Sequence, residues 1–178
     1  MNNEVILKNF NDYDMKFLYE ILSDNDVNKF LPWYPLKSID ETIKFYKEKQ
    51  ETNIYFYAIC LKKDNIPIGY INLSKKYELG YGIKKEYWNR GIVTNACNIL
   101  ISMIKEKNIP YIVATHDKYN IASGKVLQKI GMKYCYSYIE NWQPKNIVVT
   151  FRLYDFSFDN TGNYEDDFNI KDKFIEIF

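Results

Sequence analysis

A carboxylate and two glycines alternate through Tyr77-Glu-Leu-Gly-Tyr-Gly-Ile83. In an extended chain with a side-chain period of two, Glu78, Gly80 and Gly82 share one face, and Tyr77, Leu79, Tyr81 and Ile83 share the other. Glycine inside a strand weakens it, so this spacing marks either a bulge or close approach by a ligand or another backbone. Directly downstream, Trp88-Asn-Arg-Gly-Ile-Val-Thr94 leads into an apolar helical repeat. A helix start leaves backbone N–H groups without intrahelical partners and carries the positive end of the helix dipole. Asn89, Arg90, Gly91, Ile92, Val93 and Thr94 are therefore expected to meet something negative.

Three more polar residues follow close together. His116, the single histidine, ends an apolar segment, and an ordinary imidazole pKa of about 6.5 suits general-base work, with Asp117 beside it to orient the ring. Asn120 fits a helix N-cap, and Ser123 falls in the first turn of that helix. A hydrogen-bonded histidine, a cap and a first-turn serine are the plainer readings of the same residues.

These groups need a frame. "EVILKNF" reads as a first strand, and "DYDMKFLYEILSD" as a helix with Met15, Leu18, Ile21 and Leu22 on one face. After the break "FLPWYP", Ser38 and Glu41 form a capping box that opens a helix through about Gln50. "IYFYAICLK" is apolar on both faces and reads as central, "PIGYINLS" alternates, and Lys63-Asp64-Asn65 turns between them. Strand "YELGYGI" and the glycine loop follow. The next helix places Ile92, Ala96, Ile99 and Met103 on one stripe, widened by Leu100 and Ile104. "YIVATH" is a short buried strand, and "NIASGKVLQKIG" a helix from cap Asn120 to Gly131 at C′. A hairpin ends the series, "MKYCYSYIE" turning through "NWQPKN" into "IVVTFRLYDF", with Ile147, Val149, Phe151 and Leu153 on one face. The fold class is α+β in an α/β/α layering, with a mixed, mostly antiparallel sheet of about 6–7 strands and helices on both faces. One domain spans 1–156, and 157–178 is an acidic, aromatic tail, docked or frayed.

The totals narrow the function. A length of 178 residues suits one domain with a proper core. A formal net charge of +1 gives no electrostatic case for nucleic acid or for an acidic membrane surface. Cys60, Cys97 and Cys135 are scattered and odd in number, without C-x-x-C, which argues against a disulfide framework and, with one histidine, against a metal site. "MNNEVILKNF" lacks the basic-then-apolar pattern of a signal peptide, and no apolar run is long enough to span a membrane. The expected setting is cytoplasmic and reducing.

The segment "ELGYGIKKEYWNRGIVTNA", followed by "NIASGKVLQKIGM", resembles the GNAT superfamily of acetyl-CoA-dependent N-acetyltransferases. It is most similar to the Rim-type branch, which acetylates N-terminal amines of ribosomal proteins. The resemblance covers residues 4 to about 155 in element order, with the specific motifs in 69–132. It implies that the pantetheine arm of acetyl-CoA lies along the glycine-spaced strand at Tyr81, Gly82 and Ile83, where that strand splays from its neighbour. It also implies that the cofactor's pyrophosphate meets the loop Asn89–Thr94, and that Asn120 bonds the pantetheine or the strand opening. Of the family's Q/R-x-x-G-x-G/A signature only Gly91 is kept: Trp88 stands first and Val93 last, so Val93 must point away from the phosphates. Trp88 belongs to the "Y-W-x-x-G" pattern of the Rim-type branch and reads as packing. Arg90, Lys125 and Lys129 are candidates for the 3′-phosphate, or plain surface charge.

Within that resemblance the chemistry is attack of a free amine on a thioester, with coenzyme A leaving as thiolate. A lysine amine, of pKa about 10.4, costs roughly 4–5 kcal/mol to neutralise at pH 7, against about 1–1.4 kcal/mol for an α-amine near 7.7–8.0. An α-amine acceptor therefore needs little help from a base. Glu78 is the first candidate for that base and His116 the second, with a structural carboxylate as the alternative for Glu78. The family's acid tyrosine is replaced by Leu127, so Ser123, near the sulfur, is the remaining donor. Since a thiol of pKa about 8.5 departs tolerably as thiolate, that loss trims the rate rather than abolishing it. Trp33 and Tyr34 are candidates for the acceptor wall, and Trp142 for its opposite side or for packing.

Two functions follow. One is an N-acetyltransferase acting on a protein N-terminus, an antibiotic or a small amine, as a monomer or homodimer. The other is an acetyl-CoA-binding regulatory or sensor module with little catalysis, suggested by Leu127 and the altered loop ends. Neither calls for a metal, nucleic acid or a membrane.

Overall fold

The computed structural model describes residues 4–158, 170 and 172–177. Strand β1 (Val5–Asn9) is followed by a 3-10 turn, helix α1 (Met15–Ser23) and the short α2 (Asn25–Asn28). Helix α3 (Ile39–Thr52) opens on Ser38, whose hydroxyl accepts from Glu41 N–H, the capping residue expected from sequence. Strands β2 (Asn53–Leu61), β3 (Pro67–Ser74) and β4 (Leu79–Ile83) form an antiparallel sheet in the order β1-β2-β3-β4. Helix α4 (Ile92–Ile104), strand β5 (Tyr111–Asp117) and helix α5 (Ile121–Lys129) lead to the long hairpin of β6 (Lys133–Trp142) and β7 (Ile147–Ser157). A two-residue β8 (Lys173–Phe174) completes a second sheet, β5-β7-β6-β8.

The layered, mostly antiparallel architecture matches the sequence expectation, with the seven expected strands as β1–β7 and the two-residue β8 added from the tail. There are eight described strands in two four-stranded sheets. Among the described residues the backbones of the two sheets pair at one place, where Glu78 and Val113 form a parallel bridge and Val113 N–H donates to the Tyr77 carbonyl at 2.9 Å. Beyond it β4 and β5 diverge, leaving a fork. Of the tail, Lys173–Phe174 extends the sheet edge on β6, and most of 157–178 lies outside the described residues.

Two cores hold helices against opposite faces. Leu79, Ile83, Ile92, Ala96, Cys97, Leu100, Ile104, Ile112, Ala114 and Leu127 pack α4 and α5 on one side. Leu18, Ile21, Leu22, Phe56, Ala58 and Tyr70 pack α1 on the other, with Ile43, Phe45 and Tyr46 of α3 beside them. The buried stripe of α4 is rotated from the expected one: Cys97 and Leu100 lie at its centre, and Met103 is exposed. Ile147 is likewise exposed, because it begins β7 beyond the cover of neighbouring elements, while Val149, Phe151 and Leu153 are buried as expected. The hairpin turn is also tighter than expected, since Trp142 still pairs with Ile147.

Candidate functional site

The face assignments of β4 hold in three dimensions. Leu79 and Ile83 are buried in the α4 and α5 core, and Tyr81 packs against it. The glycines face the opposite layer, where a Cβ on Gly82 would come within 2.7 Å of the Tyr70 ring and one on Gly80 within 2.7 Å of Asn72 Oδ1. Glycine here lets β3 side chains lie flat against β4.

After a 3-10 turn (Lys85–Tyr87), the Trp88 indole N–H donates to the Ile83 carbonyl at 3.0 Å, folding the loop back on the strand, while the ring is exposed and lines the cavity described next. Gly91 then serves as N-cap of α4 at φ +71°, with no side-chain cap bond. The first N–H the helix takes up here is that of Asn95, bonded to the Gly91 carbonyl at 3.0 Å. The N–H groups of Ile92, Val93 and Thr94 are left at an end of positive potential. Nothing lies within 4 Å of where a Gly91 Cβ would stand. Val93 is partly buried against the core.

A cavity of about 690 Å³ opens in front of this helix start. It brings together all the residues expected to hold a cofactor: Tyr81, Gly82, Ile83, Asn89, Arg90, Gly91, Ile92, Val93, Thr94 and Asn120, with Ser123 beside them. Lys125 and Lys129 line it too. Asn120 caps α5, its Oδ1 accepting from Ser123 N–H at 3.2 Å. Tyr81 Oη lies 2.9 Å from Ser123 Oγ, spanning the fork from β4 to α5. A polyanion whose long, amide-bearing arm enters the fork fits these groups: unpaired N–H donors, cationic side chains at the rim, and an unobstructed glycine.

Glu78 stands apart from that cavity, at the closed end of the fork on the glycine face. Its Oε1 accepts from Thr115 Oγ1 of β5 at 3.1 Å. Burial raises its pKa above the usual carboxylate value, partly countered by the Thr115 hydrogen bond and by Lys49 and Lys76. A carboxyl moved up in this way is better matched to an amine proton than a solvated one. Trp33 is held by Asn28, whose Oδ1 accepts from the indole N–H at 3.0 Å, and its ring meets Phe45 with centroids 5.1 Å apart. Exposed Tyr34 donates to the Pro144 carbonyl of the β6–β7 turn at 3.5 Å, and Lys145 of that turn donates to the Asn28 carbonyl at 2.9 Å. The loop carrying Trp33 and Tyr34 thus touches the hairpin that carries Trp142. Trp142 itself packs on Phe151.

His116 is not brought to this site. It is 5% exposed beneath α5, with Nδ1 2.8 Å from the Asp117 carbonyl oxygen, and the Asp117 carboxylate does not orient it. A Cβ on Gly124 would meet its ring at 2.9 Å, and Nε2 has no hydrogen-bond partner among the described residues. Burial lowers its pKa. The strand alternation that puts Thr115 on the Glu78 face sends His116 the other way, and the second base candidate is not among the residues lining the cavity.

Sequence reasoning missed the contribution of the first half-domain to the cavity: Asp26, Val27, Lys29 and Phe30 line it. Asp24 caps α2 through the N–H groups of Asp26 and Val27, and ion pairs Lys84–Glu20 and Lys85–Asp26 tie this region to the end of β4. The cap Asp24 was legible; the pairing across 59 positions was not. Among the described residues no group of three His, Cys, Asp or Glu is placed to hold a metal ion, and no helix is long and apolar enough to cross a membrane.

The family profile described as an acetyltransferase (GNAT) domain matches residues 4–133. The uncharacterized N-acetyltransferase YnaD of Bacillus subtilis (strain 168) is 27% identical over 135 residues, 72% of this chain and 79% of YnaD. A GNAT-family acetyltransferase from Bacillus anthracis superposes with a TM-score of 0.75 at 25% identity, over 86% of this chain and 95% of that one. Spermidine N-acetyltransferase from Vibrio cholerae, solved in complex with CoA and spermine, shares the fold with a TM-score of 0.76 at 14% identity, over 88% and 96% of the two chains.

Proposed function

The chain belongs to the GNAT acetyltransferase family, and we propose that it moves an acetyl group from acetyl-CoA to a primary amine by direct attack in a ternary complex. The observation that carries this reading is the uncapped, glycine-opened start of α4 facing a cavity that runs into the fork between the sheets. Backbone N–H groups of Ile92, Val93 and Thr94 bind the pyrophosphate, with Arg90, Lys125 and Lys129 supplying positive charge around it. The edge of β4 at Tyr81–Ile83 and the Asn120 side chain hold the pantetheine amides. Acetyl-CoA supplies an activated acyl carbonyl and a thiol leaving group. Glu78 takes the ammonium proton, directly or through one water, from the glycine face. Trp33 and Tyr34 wall the acceptor.

A protein N-terminus, as in the Rim-type branch, an antibiotic and a small amine are the acceptor classes. The low cost of neutralising an α-amine favours the first. The protein acts in the cytoplasm, where Cys60, Cys97 and Cys135 stay reduced, as a monomer or homodimer, with one domain over 1–156. A second reading, an acetyl-CoA-binding regulatory or sensor module, draws on Leu127, which is buried in the core where the family often carries an acid tyrosine. Incubating the protein with acetyl-CoA and peptides bearing free N-termini, aminoglycosides, polyamines and free lysine, then weighing the products by mass spectrometry, separates the readings. Acetylation confined to one class names the acceptor. No acetylated product, with acetyl-CoA bound, supports the sensor.

A further inference from the structure

Two hydroxyls meet across the fork. Tyr81 Oη of β4 lies 2.9 Å from Ser123 Oγ of α5 and donates to the Ser123 carbonyl oxygen at 3.3 Å. Both residues line the cavity. The Tyr81 ring packs against the core that holds the fully buried Cys97 of α4. Ser123 is the one hydroxyl-bearing residue of α5, and Leu127, a turn further on, is sunk in the core at 1% exposure. The other hydroxyl-bearing residues lining the cavity are Tyr87 in the turn after β4, Thr94 at the start of α4 and Tyr119, which is largely exposed ahead of α5.

We propose that Tyr81, braced by Ser123, donates a hydrogen bond to the coenzyme A sulfur as the thioester is cleaved, and so is a catalytic residue of the transfer. The proposal rests on the acetyl-transfer reading above. With the pyrophosphate anchored at Gly91–Thr94, the arm enters along β4 past Ile83 and Gly82, and Tyr81 is the next residue along that edge. In the transfer the amine lone pair forms the N–C bond, the C–S bond breaks, and its electron pair leaves on sulfur. The proton lost by nitrogen passes to the Glu78 side, and the thiolate takes its proton from solvent. Tyr81 gives up no proton: burial pushes its phenol above its ordinary range, whereas a thiol sits at about 8.5. Its part is to turn its one O–H from the Ser123 carbonyl to the sulfur where negative charge develops, while Oη accepts from the Ser123 hydroxyl. Ser123 sets the direction of that dipole and is a positioning residue.

The test uses Tyr81→Phe, which keeps the ring and its packing, and Ser123→Ala. A hydrogen bond to a charged group corresponds to a loss of roughly 10- to 100-fold when removed. Tyr81→Phe is expected to lower kcat by that factor, with KM for acetyl-CoA changed by less than about threefold. Ser123→Ala is expected to cost less than Tyr81→Phe. The second readout is independent of turnover: the thiol of bound coenzyme A, titrated by its thiolate absorbance, should ionise about one pH unit higher in Tyr81→Phe than in the unaltered protein. Unchanged kcat together with an unchanged thiol titration overturns the proposal. So does a larger loss in Ser123→Ala, which would make the serine the donor. An unaltered protein that turns over no amine fails the transfer reading, and the thiol titration still decides the Tyr81 contact.

Discussion

Gly91 has room for a side chain but not the backbone for one. An added Cβ would meet nothing within 4 Å, while its φ of +71° strains any residue but glycine. These two facts separate two substitutions. Gly91→Ala should cost about 1 kcal/mol of stability and leave acetyl-CoA binding within a few-fold. Gly91→Glu puts a carboxylate where the pyrophosphate sits and should abolish binding in calorimetry, and normal binding by that variant would mean the anion lies elsewhere. Glu78 is tested through pH. A base acts when ionised, so kcat/KM should rise with pH through the raised Glu78 pKa, and Glu78→Gln should lose that limb with a fall of about 10²-fold or more. An unaltered pH profile in Glu78→Gln would assign the carboxylate to structure through Thr115. At this scale the gathering of Tyr81–Ile83, Asn89–Thr94 and Asn120 round one cavity was legible because glycine, asparagine and a helix start at fixed spacing set the backbone there. The burial of His116 away from the cavity lining was not legible, because one step of strand alternation decides which layer a side chain enters.

Helix α5 links fold to site through one side chain. Asn120 Oδ1 accepts the Ser123 N–H, so the cap also sets where the Ser123 hydroxyl points. Asn120→Ala should cost about 0.5–2 kcal/mol in a thermal or urea melt. It should also weaken acetyl-CoA binding, whereas a melt shift with binding intact would confine Asn120 to capping. The elements themselves read well from sequence: Ser38 and Asn120 cap where expected, and Gly131 takes φ +87° just past α5. Their orientation read less well. The α4 repeat is apolar on most of its circumference, so periodicity allowed Ile99 and Met103 as easily as Cys97 and Leu100, and the packed sheet made the choice. The ion pairs from α1 and α2 to the residues after β4, Lys84–Glu20 and Lys85–Asp26, join positions far apart in sequence, for which no local signal exists.

Over the whole molecule, one sheet expected from the sequence is two, joined by a single bridge at Glu78 and Val113. Strand propensity says nothing about whether neighbours β4 and β5 stay together, so the fork itself could not be read from composition or pattern. The second sheet carries a row of polar groups: His116, Arg152 and Ser137 pair across β5, β7 and β6, and Glu176 joins them through Arg152 and a 2.8 Å bond from Ser137 Oγ. Burial lowers the His116 pKa, so the unfolded chain binds a proton that the folded chain refuses, and stability should fall as pH drops below about 6.5. Glu176 is held below the usual carboxylate range by Arg152, so its contribution is present above about 4.3 and is lost as pH falls through the folded value. Glu78, moved the other way, opposes both. Urea midpoints should therefore show His116→Gln closing on the parent between about pH 7 and 5 as the parent loses its advantage, and a constant gap would place no titration at His116.

Acetyl transfer is tested most directly by the free thiol released from acetyl-CoA with and without an acceptor amine. Release should saturate in both acetyl-CoA and one amine class, and should vanish in Gly91→Glu. Bound acetyl-CoA that releases no thiol with any amine offered, peptide N-termini included, would contradict it and leave a binding module in place of an enzyme.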